Sequence, residues 1–242
     1  MNISLVPNKT IYARRRLGVF LLVLLAFVGY LFFTGRFTPT PQMSSGSTDE
    51  MRAAEALEKL AVRGDENTPG YKRDLFGSGW GEINGCDTRN VILARDLRDI
   101  TLGEATTDKP EASCYVMSGT LQDIYTGETI YFQRGSGSGA VQIDHVVALS
   151  NGWQSGMNTR EATERKQFAN DPMNLLAVDG PANQEKSDAA ADAWLPPNRA
   201  AHCYYVARQI SVKFKYNLSI TTAEKQAMQK TLRSCPDERI LR

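Results

Sequence analysis

Apolar and polar residues alternate along this chain with two periods, one typical of helices and one typical of strands. Apolar positions three or four residues apart predict several helices, and Asp87 and Thr221 stand where N-terminal caps are expected. Glu224 follows Thr221 at the spacing of a capping box. The predicted helices cover 51–62, 87–97, 158–169, a segment that begins at Gly180, 199–216 and 223–234.

Stretches rich in β-branched and aromatic residues predict strands between these helices. Residues 115–121 and 129–133 flank the sequence DIYTGE and predict a hairpin. After the loop GSGSG at 135–139, the stretches VQIDHVVALS at 141–150 and NLLAV at 174–178 predict two further strands. The chain is therefore expected to have an α+β fold.

One feature of the third strand needs a chemical explanation. Asp144 and His145 lie side by side in an otherwise apolar stretch, and His145 is one of only two histidines among the 242 residues. Taken alone, such a pair is most simply a hydrogen-bonded structural pair. A catalytic role needs partners elsewhere in the sequence.

The N-terminal segment predicts a membrane anchor. Residues 17–33 are apolar, three arginines precede them, and no A-x-A-like cleavage site follows. We expect a cytoplasmic tail at 1–16, a transmembrane signal-anchor at 17–35, a linker with a short helix at 36–70, and an extracytoplasmic domain at 71–242. A cleaved signal peptide would instead give a secreted protein, and a buried helix is disfavoured because no polar face is present.

Charge is unevenly distributed, although the formal net charge is only +1. Residues 193–242 hold nine basic and three acidic residues, and the rest of the chain after residue 35 has an excess of acids. A polyanionic partner is therefore expected near the C-terminal third.

The four cysteines indicate an oxidising compartment. They are even in number, all lie beyond the apolar segment, and none forms a C-x-x-C pair. Three connectivities are open. We favour Cys86 with Cys114 and Cys203 with Cys235, since each pair joins neighbouring elements, and four free buried thiols are the alternative.

The motif that follows the Asp-His pair resembles a known family. Asn174, Asn183 and Lys186 come after it in the pattern DH...NL...N..K, within the stretch FANDPMNLLAVDGPANQEKSD. This pattern resembles the ββα-metal module of HNH endonucleases. Over residues 86–235 the chain resembles the C-terminal HNH domain of GmrSD-type restriction enzymes, which is also found in secreted or anchored bacterial proteins.

The resemblance implies a metal-dependent endonuclease and assigns a role to each motif residue. His145 would be the general base, since a histidine with an ordinary pKa is largely neutral at pH 7. Asp144 and Asn183 would hold one divalent ion, Mg²⁺ or Mn²⁺, through oxygen atoms. Asn174 would brace the loop that carries His145, and Lys186 would approach the phosphate.

The chain departs from the broader family pattern in two ways. Where many members carry zinc-binding cysteines, this sequence has Asp179 and Ala182, so no structural zinc is expected. The interval between His145 and Asn174 is also long, with the predicted 158–169 helix as an insertion.

Nucleic acid is the partner that the resemblance implies, and DNA is favoured over RNA. Candidate phosphate contacts are Arg165, Arg208, Lys213 and Lys215, although the last three could equally form a solvated helix face. The alternative to an enzyme is a non-catalytic surface module that binds nucleic acid or a cell-wall polymer. No H-E-x-x-H motif is present, and a Cys-His protease would require a free cysteine.

Overall fold

Short helices and small sheets alternate along residues 51–64, 67–108 and 110–241, which the computed structural model describes. The helices are α1 (Ala53–Lys59), α2 (Thr88–Asp96), α3 (Leu149–Gln154), α4 (Ala162–Asn170), α5 (Gly180–Lys186), α6 (His202–Lys215) and α7 (Thr222–Leu232). The strands are β1 (Val62–Arg63), β2 (Glu82–Ile83), β3 (Cys86–Asp87), β4 (Leu97–Leu102), β5 (Val116–Gln122), β6 (Thr129–Gln133), β7 (Val141–His145), β8 (Leu175–Asp179) and β9 (Ile220–Thr221). The predicted mixed α+β class is confirmed.

The strands form four small sheets. β4, β5 and β6 make an antiparallel three-stranded sheet, β7 pairs antiparallel with β8, β2 pairs antiparallel with β3, and β1 pairs parallel with β9. Helix α5 follows β8 directly, so β7, β8 and α5 give the order strand, strand, helix.

The β7–β8 pair lies between two hydrophobic cores, which explains its nearly continuous apolar sequence. Ile143 packs in one core with α2 and the three-stranded sheet, while Leu176 and Val178 pack in a second core with α1, α6 and α7. Successive side chains of a strand point to opposite faces. Both faces of this pair are therefore buried, and its few polar side chains must find partners inside the protein.

Packing begins earlier in the chain than the sequence suggested. Ala53, Ala56 and Leu57 of α1 are fully buried in the core shared with α6 and α7, and β1 pairs with β9. The boundary expected at residue 71 therefore needs correction, because residues 53–63 are part of the packed domain.

Among the described residues, no helix is long and apolar enough to cross a membrane. Residues 1–50 lie outside the described residues. They include the predicted tail at 1–16, the predicted anchor at 17–35 and the first part of the linker, 36–50.

Two disulfides close the fold, and the favoured connectivity is confirmed. Cys86 pairs with Cys114, and Cys203 pairs with Cys235, so all four cysteines are oxidised. The first bridge ties β3 to the 3-10 turn Pro110–Cys114 before β5. The second ties the first turn of α6 to the chain just after α7.

Candidate active site

The two motif residues that are adjacent in sequence face opposite sides of β7. Asp144 contacts Tyr125 and Lys186 on the side of the α6 core, whereas His145 stacks on Trp80 on the other side. This follows from the alternation of side chains along a strand. The Asp-His pair is therefore not a pair in contact, and each side chain has its own surroundings.

His145 is held in one orientation by its ring nitrogen Nε2. The ring is 7% exposed, and Nε2 lies 2.8 Å from the carbonyl oxygen of Ala169 at the end of α4. Since a carbonyl oxygen only accepts hydrogen bonds, Nε2 is the protonated nitrogen and donates. Nδ1 then carries the free lone pair, which is the position from which a proton can be taken.

Burial is the main influence on the basicity of His145. The pKa of His145 lies at about 4, below the usual 6.5, chiefly because burial disfavours the charged ring; the hydrogen bond to Ala169 and the charge of Asp144 oppose this, and the charges of Arg73 and Lys186 add to it. The imidazole is therefore neutral at pH 7.

His145 lines a cavity of about 380 Å³ at the surface. Trp80 covers one face of the imidazole, with ring centroids 5.7 Å apart and planes 11° from parallel. The neighbouring Gly81 donates its N–H to Asn170 Oδ1 at 2.6 Å, which fixes the chain beside Trp80 to the end of α4. The other residues that line the cavity are Arg73, Asp74, Phe76, Gly77, Ser78, Gly79, Leu149 and Ala169.

Asn174 ties together the two segments that meet at His145. Its side chain is fully buried, its Oδ1 accepts from the N–H of Val147 at 2.8 Å, and its Nδ2 donates to the carbonyl oxygens of Val147 and Phe168. Its own carbonyl accepts from the N–H of Val146 at 2.8 Å. The chain that follows His145 is thus hydrogen-bonded to the start of β8 and to α4.

Asp144 forms a buried ion pair with Lys186 of α5. Lys186 Nζ lies 2.9 Å from Asp144 Oδ1 and 3.0 Å from the carbonyl oxygen of His145, and Tyr125 Oη donates to Asp144 Oδ2 at 2.5 Å. The side chains of Lys186 and Asp144 are 0% and 5% exposed. In this arrangement the Lys186 ammonium neutralises Asp144 and does not reach solvent.

A divalent ion at Asp144 would compete with the Lys186 ammonium. Both carboxylate oxygens already accept a hydrogen bond, one of them from the Lys186 ammonium, which neutralises the charge that would attract an ion. Asn183, the second expected ligand, donates its Nδ2 to Gln142 Oε1 at 2.9 Å. Among the described residues, no three histidine, cysteine or acidic side chains come together as a metal site.

Three of the four basic residues expected to bind phosphate are engaged within the fold. Arg208 is buried and donates to the carbonyl oxygens of Met173, Pro172 and Leu175. Lys213 is fully buried and pairs with Glu224 at 2.7 Å, and Arg165 donates to the carbonyl oxygens of Leu75 and Arg160.

Lys215, the fourth, is half exposed. It forms an ion pair with Asp171 at 2.6 Å, and its side chain also lies over the ring of Tyr216. The structure therefore does not bring these four cations together beside His145.

The sequence interpretation missed the residues that surround His145 on its open side. Arg73 and Trp80 come from the stretch 64–85, in which the sequence pattern predicts no site residue. An indication in the sequence was Trp80 within the glycine-rich stretch GSGWG at 77–81, which follows Arg73 closely. Tyr125, which binds Asp144, lies in the loop of the predicted hairpin and carried no indication of this contact.

Comparison with known proteins identifies one family. The model of the C-terminal domain of GmrSD restriction endonucleases matches residues 87–231. A protein of Arthroderma benhamiae, described as an uncharacterized secreted protein, is 38% identical over 201 residues, which cover 81% of this chain and 90% of the fungal protein. No solved structure gives a significant match.

Proposed function

The chain belongs to the family of GmrSD restriction endonuclease C-terminal domains, and on that premise we propose that it is an endonuclease that hydrolyses the phosphodiester bonds of nucleic acids. The observation that carries the proposal is the state of His145. Its imidazole is neutral, its Nε2–H is fixed by Ala169, and its ring lines an open cavity. A general base must be unprotonated and within reach of the proton that it takes, and the fixed Nε2–H leaves Nδ1 of His145 for this role.

The proposed reaction uses His145 to activate water. Anionic oxygens protect a phosphodiester from hydroxide, so the attacking water must lose its proton as the new bond forms. Nδ1 takes this proton while the water oxygen bonds to phosphorus. The bond from phosphorus to the leaving oxygen breaks, and that oxygen keeps the electron pair and is protonated from solvent. The carbonyl of Ala169 stabilises the imidazolium that results.

Substrate itself would strengthen this base. A pKa of about 4 makes free His145 a weak proton acceptor. A phosphate anion beside the ring favours the charged imidazolium and raises the pKa. We therefore propose that the base is fully effective only when the cavity holds a phosphate.

The divalent ion implied by the resemblance stays a prediction. The Asp144 and Asn183 oxygens are ligands that Mg²⁺ or Mn²⁺ accept, and at Asp144 the ion would compete with the Lys186 ammonium. No step above depends on the ion.

We also propose that the domain acts outside the cytoplasm. Disulfides persist in oxidising compartments, and both bridges join parts of the same domain. The similar fungal protein is described as secreted. The predicted anchor at 17–35 would hold the domain at the membrane, and its cleavage would release it. DNA is the substrate expected first, since the family takes its name from restriction endonucleases.

The decisive experiment compares the two histidines of the chain. Full-length protein and the variants His145→Ala and His202→Ala are incubated with plasmid, linear DNA and RNA, in Mg²⁺, in Mn²⁺ and in EDTA. We expect His145→Ala to lose ~10²- to 10⁴-fold in turnover. His202, the first residue of α6, hydrogen-bonds to the carbonyl oxygen of Pro196 and serves as the matched control.

Two results would count against the proposal. Cleavage by His145→Ala at the rate of the wild type would remove His145 from the reaction. Binding of nucleic acid without cleavage by the wild type would favour the non-catalytic module instead.

A further inference from the structure

Arg73 is a cation that lies on the open side of His145. Arg73 is exposed, and its side chain lines the same 380 Å³ cavity as the imidazole. Among the described residues, no hydrogen bond or ion pair engages its guanidinium, in contrast to Arg165 and Arg208. It is therefore available to a ligand.

The backbone that carries Arg73 is fixed to the same helix that orients His145. Arg73 begins a 3-10 turn, Arg73–Phe76, and Phe76 is 1% exposed and packs on Phe168 of α4 with ring centroids 6.1 Å apart. The carbonyl of Leu75 also accepts from Arg165 Nε of α4 at 2.9 Å. Because α4 also supplies the carbonyl of Ala169, Arg73 and His145 are held by one rigid element.

The charge of Arg73 acts on the imidazole of His145. It lowers the pKa of His145, after the larger influences of burial, the Ala169 hydrogen bond and Asp144. Asp74, the other charged residue besides Arg73 that lines the cavity, is not among the groups that influence this pKa. The charge of Arg73 therefore reaches the imidazole that lines the same cavity.

We propose that Arg73 is a catalytic residue that binds the scissile phosphate in the cavity beside His145; this inference rests on the function proposed above. A guanidinium offers paired N–H donors that match two phosphate oxygens. Negative charge builds on those oxygens as water attacks, and a fixed cation stabilises it. Lys186 is unsuited to this task in the arrangement described, since it is fully buried against Asp144.

The role of Arg73 is tested by substitutions that remove its charge and by a control substitution that removes the charge of its neighbour, Lys72. Full-length Arg73→Ala, Arg73→Lys and Lys72→Ala are compared with the wild type in steady-state cleavage of DNA. Lys72 is exposed and adjacent but does not line the cavity, so it is the matched control. We expect Arg73→Ala to lose ~10²- to 10³-fold in kcat, Arg73→Lys to recover part of this, and Lys72→Ala to keep the wild-type rate.

Thermal unfolding separates a catalytic role from a structural one. Arg73 is exposed and no hydrogen bond or ion pair among the described residues engages its guanidinium, so Arg73→Ala should unfold at the wild-type temperature while it loses activity. If Arg73→Ala unfolds at a lower temperature than the wild type, Arg73→Gln, which keeps most of the side chain without the charge, decides the matter by the same two readouts.

The outcomes distinguish this inference from the proposed function. An active wild type with an equally active Arg73→Ala, or Arg73→Gln where that variant decides, overturns the role of Arg73 alone. A wild type that cleaves no nucleic acid overturns the proposed nuclease and this inference with it. An equal loss in Lys72→Ala and Arg73→Ala would show a general effect of surface charge and would also overturn the inference.

Discussion

At the scale of single residues, the adjacency of Asp144 and His145 reflects two separate needs. The strand places Asp144 in the interior, where Lys186 and Tyr125 satisfy its oxygens, and places His145 at a cavity. The motif spacing identified both residues as important. It could not show that Asp144 and Lys186 contact each other, because that contact depends on how α5 packs on β7.

Removal of Lys186 tests how much the buried ion pair contributes to the free energy of unfolding. Lys186→Ala leaves the Asp144 carboxylate buried with Tyr125 as its remaining side-chain partner, and a broken buried pair typically costs ~3–5 kcal/mol of unfolding free energy. Lys225→Ala removes a pair with the exposed carboxylate of Glu58 and should cost at most ~1 kcal/mol. Urea unfolding of both variants measures the difference, and equal losses would contradict the structural importance of the Asp144–Lys186 pair.

The same variant tests the predicted divalent ion. If Mn²⁺ binds where the Lys186 ammonium lies, Lys186→Ala should gain more thermal stability from Mn²⁺ than the wild type does, since a ligand that binds only the folded state stabilises it. Melting temperatures over a series of Mn²⁺ concentrations provide the measurement. A wild type that is stabilised as much as the variant would show that the ion binds without displacing Lys186, and no effect on either would contradict the ion itself.

At the scale of elements, the sequence pattern located most helices and strands but not their ends. The hairpin predicted from 115–121 and 129–133 forms as β5 and β6, and the caps at Asp87 and Thr221 accept from Asn90 and Glu224. The capping box is only half formed, because the Glu224 carboxylate turns to Lys213. That choice depends on a neighbouring helix and is invisible to a local pattern.

Two elements were not predicted. Helix α3 lies where the apolar run 141–150 was expected to continue as a strand, and β4 adds a third strand to the predicted hairpin. An apolar run bounded by turn residues fits a buried strand or a buried helix equally well. Tertiary contacts favour the helix at α3, where Trp153 packs against Phe76.

The start of α5 depends on a close approach between two glycines. A Cβ at Gly180 would lie 2.2 Å from the carbonyl oxygen of Gly139 and 3.1 Å from Gln142 Nε2. Gly180→Ala should therefore push α5 away from β7 and cost ~1–3 kcal/mol. Gly139→Ala is the control, because its Cβ would meet open space. Denaturant melts compare the two, and a Gly180→Ala variant as stable as Gly139→Ala would show that the loop yields easily.

At the scale of the whole molecule, composition predicted the disulfides better than the binding surface. The even set of cysteines implied disulfides, and both favoured bridges are present. The basic excess near the C-terminus predicted a surface that binds a polyanion, yet Arg208 and Lys213 are buried with internal partners. A count of charges assumes exposure, and burial follows only from the fold.

The last prediction concerns the two bridges, which hold the ends of the domain. A disulfide that closes a loop of about 30 residues typically contributes ~2–4 kcal/mol by restricting the unfolded chain, and these bridges join cysteines 28 and 32 residues apart. Dithiothreitol should therefore lower the urea midpoint of the full-length protein, and a variant with all four cysteines changed to serine should be insensitive to it. Loss of Cys86–Cys114 should also reduce cleavage more than loss of Cys203–Cys235, because Cys86 follows the segment that carries Trp80 over His145. Equal activity of the two single-bridge variants would show that the cover over His145 is held by the Gly81–Asn170 hydrogen bond without help from the bridge.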